Sequence, residues 1–234
     1  MPSFGIVFPV LAGKEGLARE VGARLKKDRA EYEASRRRGG VSFERAYLQR
    51  NPDGTALVVA YLEADRSFGE TMQALITSDL ALDRYFVDAN KEVTGIDFRA
   101  GPGGPDPELV GEYVAPNATE RGRGLAFAAP LQAGKTDAAR QFAREAYTTR
   151  AEALEQSRAE KGIRRESVFL NQTPMGDLVV VYLEGNDPAD GNRQFAASNS
   201  PFDRWFKDRC KEIFPQFVNF DQPVPQNEEI FSSV

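Results

Sequence analysis

Two Tyr-x-Glu pairs, Tyr61 with Glu63 and Tyr182 with Glu184, carry the residue types best suited to chemistry in this chain. On an extended segment each pair puts a phenol and a carboxylate on the same side of a strand. Each glutamate closes an apolar run, Leu57 to Leu62 and Leu178 to Leu183. Burial at such a place raises a carboxyl pKa and makes the group a candidate general base. The structural alternative is a salt bridge to Arg29 or Arg150, or capping of the helix that follows. Aromatic and charged residues mix again in Asp83-Arg84-Tyr85-Phe86 and Asp203-Arg204-Trp205-Phe206. On a helix these four cannot face one way, so Phe86 and Phe206 are expected in the core and Asp83 and Asp203 at a cap or bridge. Tyr85 and Trp205 are amphipathic and suit the mouth of a pocket, with Phe202 one turn from Phe206. The ligand-binding candidates are therefore Tyr61, Glu63, Tyr85, Tyr182, Glu184, Phe202 and Trp205, and no residue is assigned a catalytic role.

Other chemistry is harder to support. Ala129-Pro-Leu-Gln-Ala-Gly134-Lys135-Thr136 imitates a phosphate loop, but Ala129 stands where the first glycine is needed. It reads better as a strand-to-helix connection. Arg29 and Glu31, like Arg150 and Glu152, are two apart on a helix and cannot pair with each other. Each must look elsewhere, with Glu44 and Glu166 on the adjoining strand as partners for the arginines. The chain has no histidine and a single cysteine, Cys210. That removes the usual general base, the Cys/His zinc sites, the usual haem ligand and any intrachain disulfide. Cofactors and metals are expected to be absent.

The 234 residues are 41% hydrophobic and 28% charged, with a formal charge of −5. This is the balance of an ordinary globular protein, and its sign disfavours nucleic acid and anionic membrane as partners. No run of about 18 apolar residues exists to span a bilayer, and the first residues lack the features of a signal peptide. A cytoplasmic location is the default expectation.

What positions the candidates is a repeat. Pro9-Val-Leu-Ala-Gly-Lys14 returns as Pro130-Leu-Gln-Ala-Gly-Lys135, and Leu57-Val-Val-Ala-Tyr-Leu-Glu63 as Leu178-Val-Val-Val-Tyr-Leu-Glu184. Arg29-Ala-Glu31 returns as Arg150-Ala-Glu152, Asp83-Arg-Tyr-Phe86 as Asp203-Arg-Trp-Phe206, and Lys91-Glu92 as Lys211-Glu212. The matches keep their order, which implies a repeat at 1–100 and another at 121–222. A Gly/Pro-rich linker at 101–120 and a tail at 223–234 complete the chain.

Each repeat reads alike. Phe4, Ile6, Phe8 and Val10 alternate as a strand. A helix is expected from about Lys14 to Arg38 through Leu17, Val21, Leu25 and Tyr32, ended by Gly39-Gly40. Strands follow at 43–50 and 56–63, joined at Asn51-Pro-Asp-Gly54, with Thr173-Pro-Met-Gly176 as the second hairpin turn. A helical region then runs from about Ser67 to Val93 and restarts near Ser78, as Pro201 at the first position of a helix suggests for the second copy. A short strand is expected at 96–98. The order βαββαβ, twice, is the α+β ferredoxin-like plan, with first and third strands central and the second at an edge. The third strand is apolar on both faces, so a second sheet is expected to cover it, giving an intrachain pseudo-dimeric α+β barrel.

The doubled pattern resembles the dimeric α+β barrel superfamily in fused form. More narrowly, Arg150, Glu152, Ser157, Arg158, Glu166, Leu170, Pro174, Gly176, Tyr182, Leu183, Glu184 and Phe202 to Phe206 resemble small bacterial proteins of unassigned function. Asn171 replaces a Gln of that pattern, and the first copy keeps Gln49 but has Leu82 and Tyr85 for Phe202 and Trp205. The superfamily includes cofactor-free monooxygenases, haem-binding peroxidases and haem-degrading enzymes, and the haem branches normally use the histidine this chain lacks.

Two functions stay open: a pocket for a small apolar or aromatic molecule between sheet and helices, for binding or cofactor-independent monooxygenase-like chemistry, and a non-catalytic scaffold. The expected state is a monomer carrying its own pseudo-dimer, or a loose homodimer, with the second copy the better candidate for a pocket.

Overall fold

Alternation of Phe4, Ile6 and Phe8 builds the first strand, β1 (Ser3–Val10), in the computed structural model. The structure describes residues 1–101, 104–116, 118–174, 176–224 and 227–234. Two units divide the chain, one of Met1–Pro107 with Asn227–Val234 and the other of Glu108–Gln226.

In the first unit, α1 (Glu15–Lys27) and α2 (Arg29–Gly39) replace the single helix expected from Lys14 to Arg38. The break falls at Asp28, whose φ and ψ of −93° and 48° leave the helical region and whose carboxylate takes the Arg24 guanidinium instead. Gly40 ends α2 at φ 72°, a left-handed value that glycine adopts without cost. Strands β2 (Val41–Arg50) and β3 (Ala56–Ala64) form the hairpin, and Gly54 takes φ 86° at its turn. Helices α3 (Phe68–Ile76) and α4 (Ala81–Thr94) follow, α3 being held by a capping box of Ser67 and Glu70.

The strand expected at 96–98 does not form. Gly95 closes α4 at φ 75°, and the Asp97 carboxylate accepts the Arg99 N–H, winding Phe98–Ala100 into a 3-10 turn. The sheet's fourth strand is β8 (Glu228–Ser232), drawn from the segment read as a tail, and the order is β1-β3-β2-β8 with antiparallel pairing. The second strand is therefore interior rather than at an edge. Two contacts explain the choice. Phe231 is 1% exposed with its ring 5.0 Å from that of Tyr32. At Gly22 of α1 a Cβ would lie 2.3 Å from the Ile230 carbonyl oxygen, so only glycine admits β8 so close.

The second unit begins inside the segment read as a linker, where Glu108–Val114 is a strand, β4. Then come β5 (Arg123–Pro130), α5 (Thr136–Arg144), a π-helical turn at Glu145–Thr149, α6 (Ala151–Glu160), β6 (Ile163–Thr173), β7 (Gly176–Gly185), α7 (Pro188–Ala197) and α8 (Pro201–Ile213). The sheet order is β4-β6-β7-β5, again antiparallel. Pro201 opens α8 as expected, and the phosphate-loop look-alike is the short connection from β5 to α5. The turn at Thr173–Gly176 includes Met175, which lies outside the described residues. Pro102 and Gly103 of the expected linker lie outside them too.

The fold is thus mixed α+β, with two four-stranded antiparallel sheets and eight α-helices among the described residues. β4 follows the helices of the first unit and joins the sheet of the second, while β8 follows the helices of the second and joins the first. Among the described residues, no helix is long and apolar enough to cross a membrane.

Candidate functional site

The period of two along β3 and β7 sorts the candidate residues onto one face and a cavity onto the other. Val179, Val181 and Leu183 of β7 line a cavity of about 80 Å³ between the second unit's sheet and its helices, while Val58 and Leu62 of β3, with Ala60, line one of about 100 Å³ in the first. Each is several times the volume that one water needs by the same measure. The intervening residues, Tyr61 and Glu63 or Tyr182 and Glu184, point to the opposite sheet face.

The Tyr–Glu pairs do form as spaced. The Tyr61 hydroxyl donates to Glu63 at 2.8 Å, and the Tyr182 hydroxyl to Glu184 at 2.7 Å. Glu184 is 1% exposed and accepts also from the Gly122 N–H at 3.0 Å, with Arg121 at 3.4 Å and Arg165 at 3.6 Å. Among the described residues its cations are these two, not Arg150. Arg150 pairs with Glu145 at 2.8 Å and lays its guanidinium 4.1 Å from the Trp205 ring centre. Arg29 pairs with Glu33 at 2.8 Å. Trp205 packs on Phe142 and Phe202, at 5.7 and 5.5 Å between ring centres, and Tyr85 lies under Arg24 at 5.5 Å. None of the seven candidates lines either cavity.

The cavity walls include an arginine–glutamate pair, whose glutamates the sequence had matched with Arg29 and Arg150. Arg36 Nε donates to Glu44 at 2.6 Å in the first unit, and Arg158 donates to both oxygens of Glu166 in the second, one at 3.1 Å. All four residues are below 10% exposed. The helix supplies the arginine one turn before a left-handed glycine, Gly40 or Gly162, and the chain returns as a strand carrying the glutamate. The signal lay in the shared spacing, Ser35-Arg36…Gly40…Glu44 against Ser157-Arg158…Gly162…Glu166.

A tyrosine attends each pair from a different place. Tyr32 donates to Glu44 at 3.3 Å, but its counterpart by position is Leu154. Tyr147, whose counterpart in the register that aligns Arg29 with Arg150 is Lys26, lines the second cavity. Burial first, then the charge of Glu166, pushes the Tyr147 hydroxyl well up, and it stays neutral. Gly111 of β4 makes room for this ring, since a Cβ there would come within 2.3 Å of it. Burial and the charge of Glu44 raise Tyr32 likewise, and burial raises the thiol of Cys210, which lines the second cavity.

Behind the second pair sits a charge network. Asp203 is 0% exposed, accepts from Ser157 Oγ at 2.6 Å and meets Lys161 Nζ at 2.9 Å. Burial acts to raise its pKa, but hydrogen bonds from Ser157, Ser198 and Lys161 outweigh it and bring it down to about 2. Lys207, 3% exposed, donates to the carbonyls of Ala196 and Ser198 at 2.9 and 2.8 Å. No cluster of three or more His, Cys, Asp or Glu able to hold a metal occurs among the described residues.

Residues 126–223 match a family of unknown function, DUF6176. No curated protein matches the sequence. A candidate monooxygenase from Lactobacillus acidophilus NCFM superposes with a TM-score of 0.51 at 10% identity, over 100% of this chain and 95% of its own. A candidate monooxygenase from Fusobacterium nucleatum subsp. nucleatum ATCC 25586 gives 0.48 at 11% identity, covering 99% and 92%. An anthrone oxidase-like protein gives 0.46 at 10% identity, covering 97% and 90%. At such identity the first of these likenesses speaks for the fold alone.

Proposed function

We propose that the protein binds a small apolar or aromatic molecule in the cavity between sheet and helices of a unit. The observation that carries this is the second unit's cavity, walled by Phe142, Phe195, Phe206 and aliphatic side chains, with Arg158, Lys161, Glu166, Asn192 and Tyr147 as polar members of its wall. Ligand sites have this composition, mostly apolar with a few fixed polar groups. The expectation that Tyr182, Glu184 and Trp205 form the handles gives way to these residues.

The oxygenase names of the similar folds fit an aromatic ligand, but they bring no residue with them. A proton-abstracting base is required for cofactor-free oxygenation of a phenol-like substrate. The cavity's carboxylate, Glu166, is already engaged by the Arg158 guanidinium. Binding is therefore the reading proposed. The two units are read, on the same footing, as fused ferredoxin-like repeats making an internal pseudo-dimer.

Fluorobenzene titrated against the whole chain and followed by fluorine NMR tests the proposal. Saturable binding at millimolar or lower concentration is expected, together with slower labelling of Cys210 by a thiol reagent as the second cavity fills. Ala143→Phe, which fills that cavity, is expected to remove the protection of Cys210. An absence of saturable binding by fluorobenzene and toluene would leave the scaffold reading standing.

A further inference from the structure

The two units differ at one buried charge. In the second unit the carboxylate of Asp203 is met by Lys161 Nζ at 2.9 Å and by Ser157 Oγ at 2.6 Å. Lys161 also lines the cavity. The first unit has Asp83 at the corresponding helix position, and it is 2% exposed. Among the described residues, neither oxygen of Asp83 has a hydrogen-bond partner. The residue corresponding to Lys161 is Gly39, followed by Gly40 as Lys161 is followed by Gly162. Ser35, the counterpart of Ser157, accepts from Arg36 Nη1 at 2.9 Å.

Charge counting makes the gap plain. Around the second cavity Arg158 and Lys161 balance Glu166 and Asp203. Around the first, among the described residues, Arg36 faces both Glu44 and Asp83, and it is spent on Glu44 at 2.6 Å. Asp83 is felt by Arg36 through space, less strongly than Glu44 is. Arg38 is turned to Asp79 at 3.1 Å, and the position of Lys207 holds Val87. A buried carboxylate left without donor or cation is costly, and native structures rarely keep one without a use.

Asp83 is not itself in the cavity wall, but the places of its counterpart's two partners are. Ser35 and Gly39, the positions whose counterparts hold Asp203, both line the first unit's cavity of about 100 Å³. The rest of that wall is apolar, with Leu62, Leu75 and Phe86 among its members. A lysine side chain is a short methylene chain ending in an ammonium group. We propose that the first unit's cavity takes a small primary alkylamine, whose ammonium reaches Asp83 as Lys161 reaches Asp203 and whose chain lies in the apolar cavity. This rests on the reading of the cavities as binding sites and names the ligand class of one of them.

The test titrates isotope-labelled protein at pH 7 with n-pentylamine, 1-pentanol and ammonium chloride, following the amides of Gly39 and Thr71, which line this cavity. The amine stays protonated there, as a lysine does. Charge-assisted hydrogen bonding predicts that n-pentylamine binds at least about tenfold more tightly than 1-pentanol. Asp83→Asn is expected to erase that preference, and Gly39→Lys to block the amine by placing a tethered ammonium on Asp83. The Cβ of the lysine fits, since its nearest neighbours would be 3.7 Å and more away. Should Gly39→Lys fail to fold, Asp83→Asn decides alone. Equal affinity for amine and alcohol, or a preference that survives Asp83→Asn, overturns the amine proposal and leaves the cavity reading intact. Ammonium chloride shifting the same amides as strongly as the amine also overturns it, in favour of a bare cation site. Failure of both organic probes to bind sinks the cavity reading itself for this unit.

Discussion

Arg158 closes on Glu166 from eight residues away along the chain, with its guanidinium on both carboxylate oxygens and both side chains out of water. Arg36 and Glu44 repeat the relationship in the other unit, again eight residues apart. In both, a helix end and the strand that follows are tied across a left-handed glycine.

Breaking such a pair from one side leaves a charge buried and alone. Glu166→Gln is expected to destabilise the second unit by about 3–5 kcal/mol, whereas Arg158→Met with Glu166→Leu costs far less because no charge is orphaned. Urea unfolding of the single and double variants measures this. Equal losses in both would mean that packing, not charge, fixes the joint.

Glu184 accepts from Tyr182, the Gly122 N–H and Arg121. Glu184→Gln keeps the shape but weakens the charge-assisted bonds, so a loss of about 1–3 kcal/mol is expected. Fluorobenzene affinity should be unchanged, since Glu184 lies on the sheet face away from the cavity. A loss of affinity without a loss of stability would return Glu184 to the binding site.

Phe231 fastens β8 to the first unit by its contact with Tyr32. Phe231→Ala is expected to cost about 3–5 kcal/mol, as large-to-small changes in a packed core do. Hydrogen exchange should localise the loosening to β2 and α1 and spare β7. A uniform loss over both units would contradict a separate attachment.

Asp203 gives the acid limb of stability. Its folded-state pKa of about 2 lies below the ordinary aspartate value of 3.8, so folding favours the ionised form. The stabilisation is complete above the unfolded value and is lost as pH falls from near 4 through about 2, in all about 2 kcal/mol. Asp203→Asn should flatten the stability profile of the second unit in this window. An unchanged profile would show that other carboxylates govern it.

The sequence by itself determined most of the local structure. Alternation in Phe4, Ile6 and Phe8, the apolar runs ending at Glu63 and Glu184, and the Asp-Gly turn are signals within a few residues, because hydrophobic period and turn chemistry act at that range. It also put Tyr61 with Glu63 and Tyr182 with Glu184 on one side of a strand, since a spacing of two is itself a geometry, while the hydrogen bonds between them came from the structure. What pairs at long range was decided only by the tertiary structure. β8 lies more than 170 residues from β2 along the chain, yet it takes the place beside it, because Gly22 admits it and Phe231 is buried there. The same holds for the cavities. Whether Tyr182 or Val181 faces the helices depends on which side of the sheet they cover, and a strand apolar on both sides carries no mark of that choice. Asp83 makes the point most sharply. Its sequence context nearly copies that of Asp203, and only the folded chain shows that the lysine's place beside it is held by a glycine.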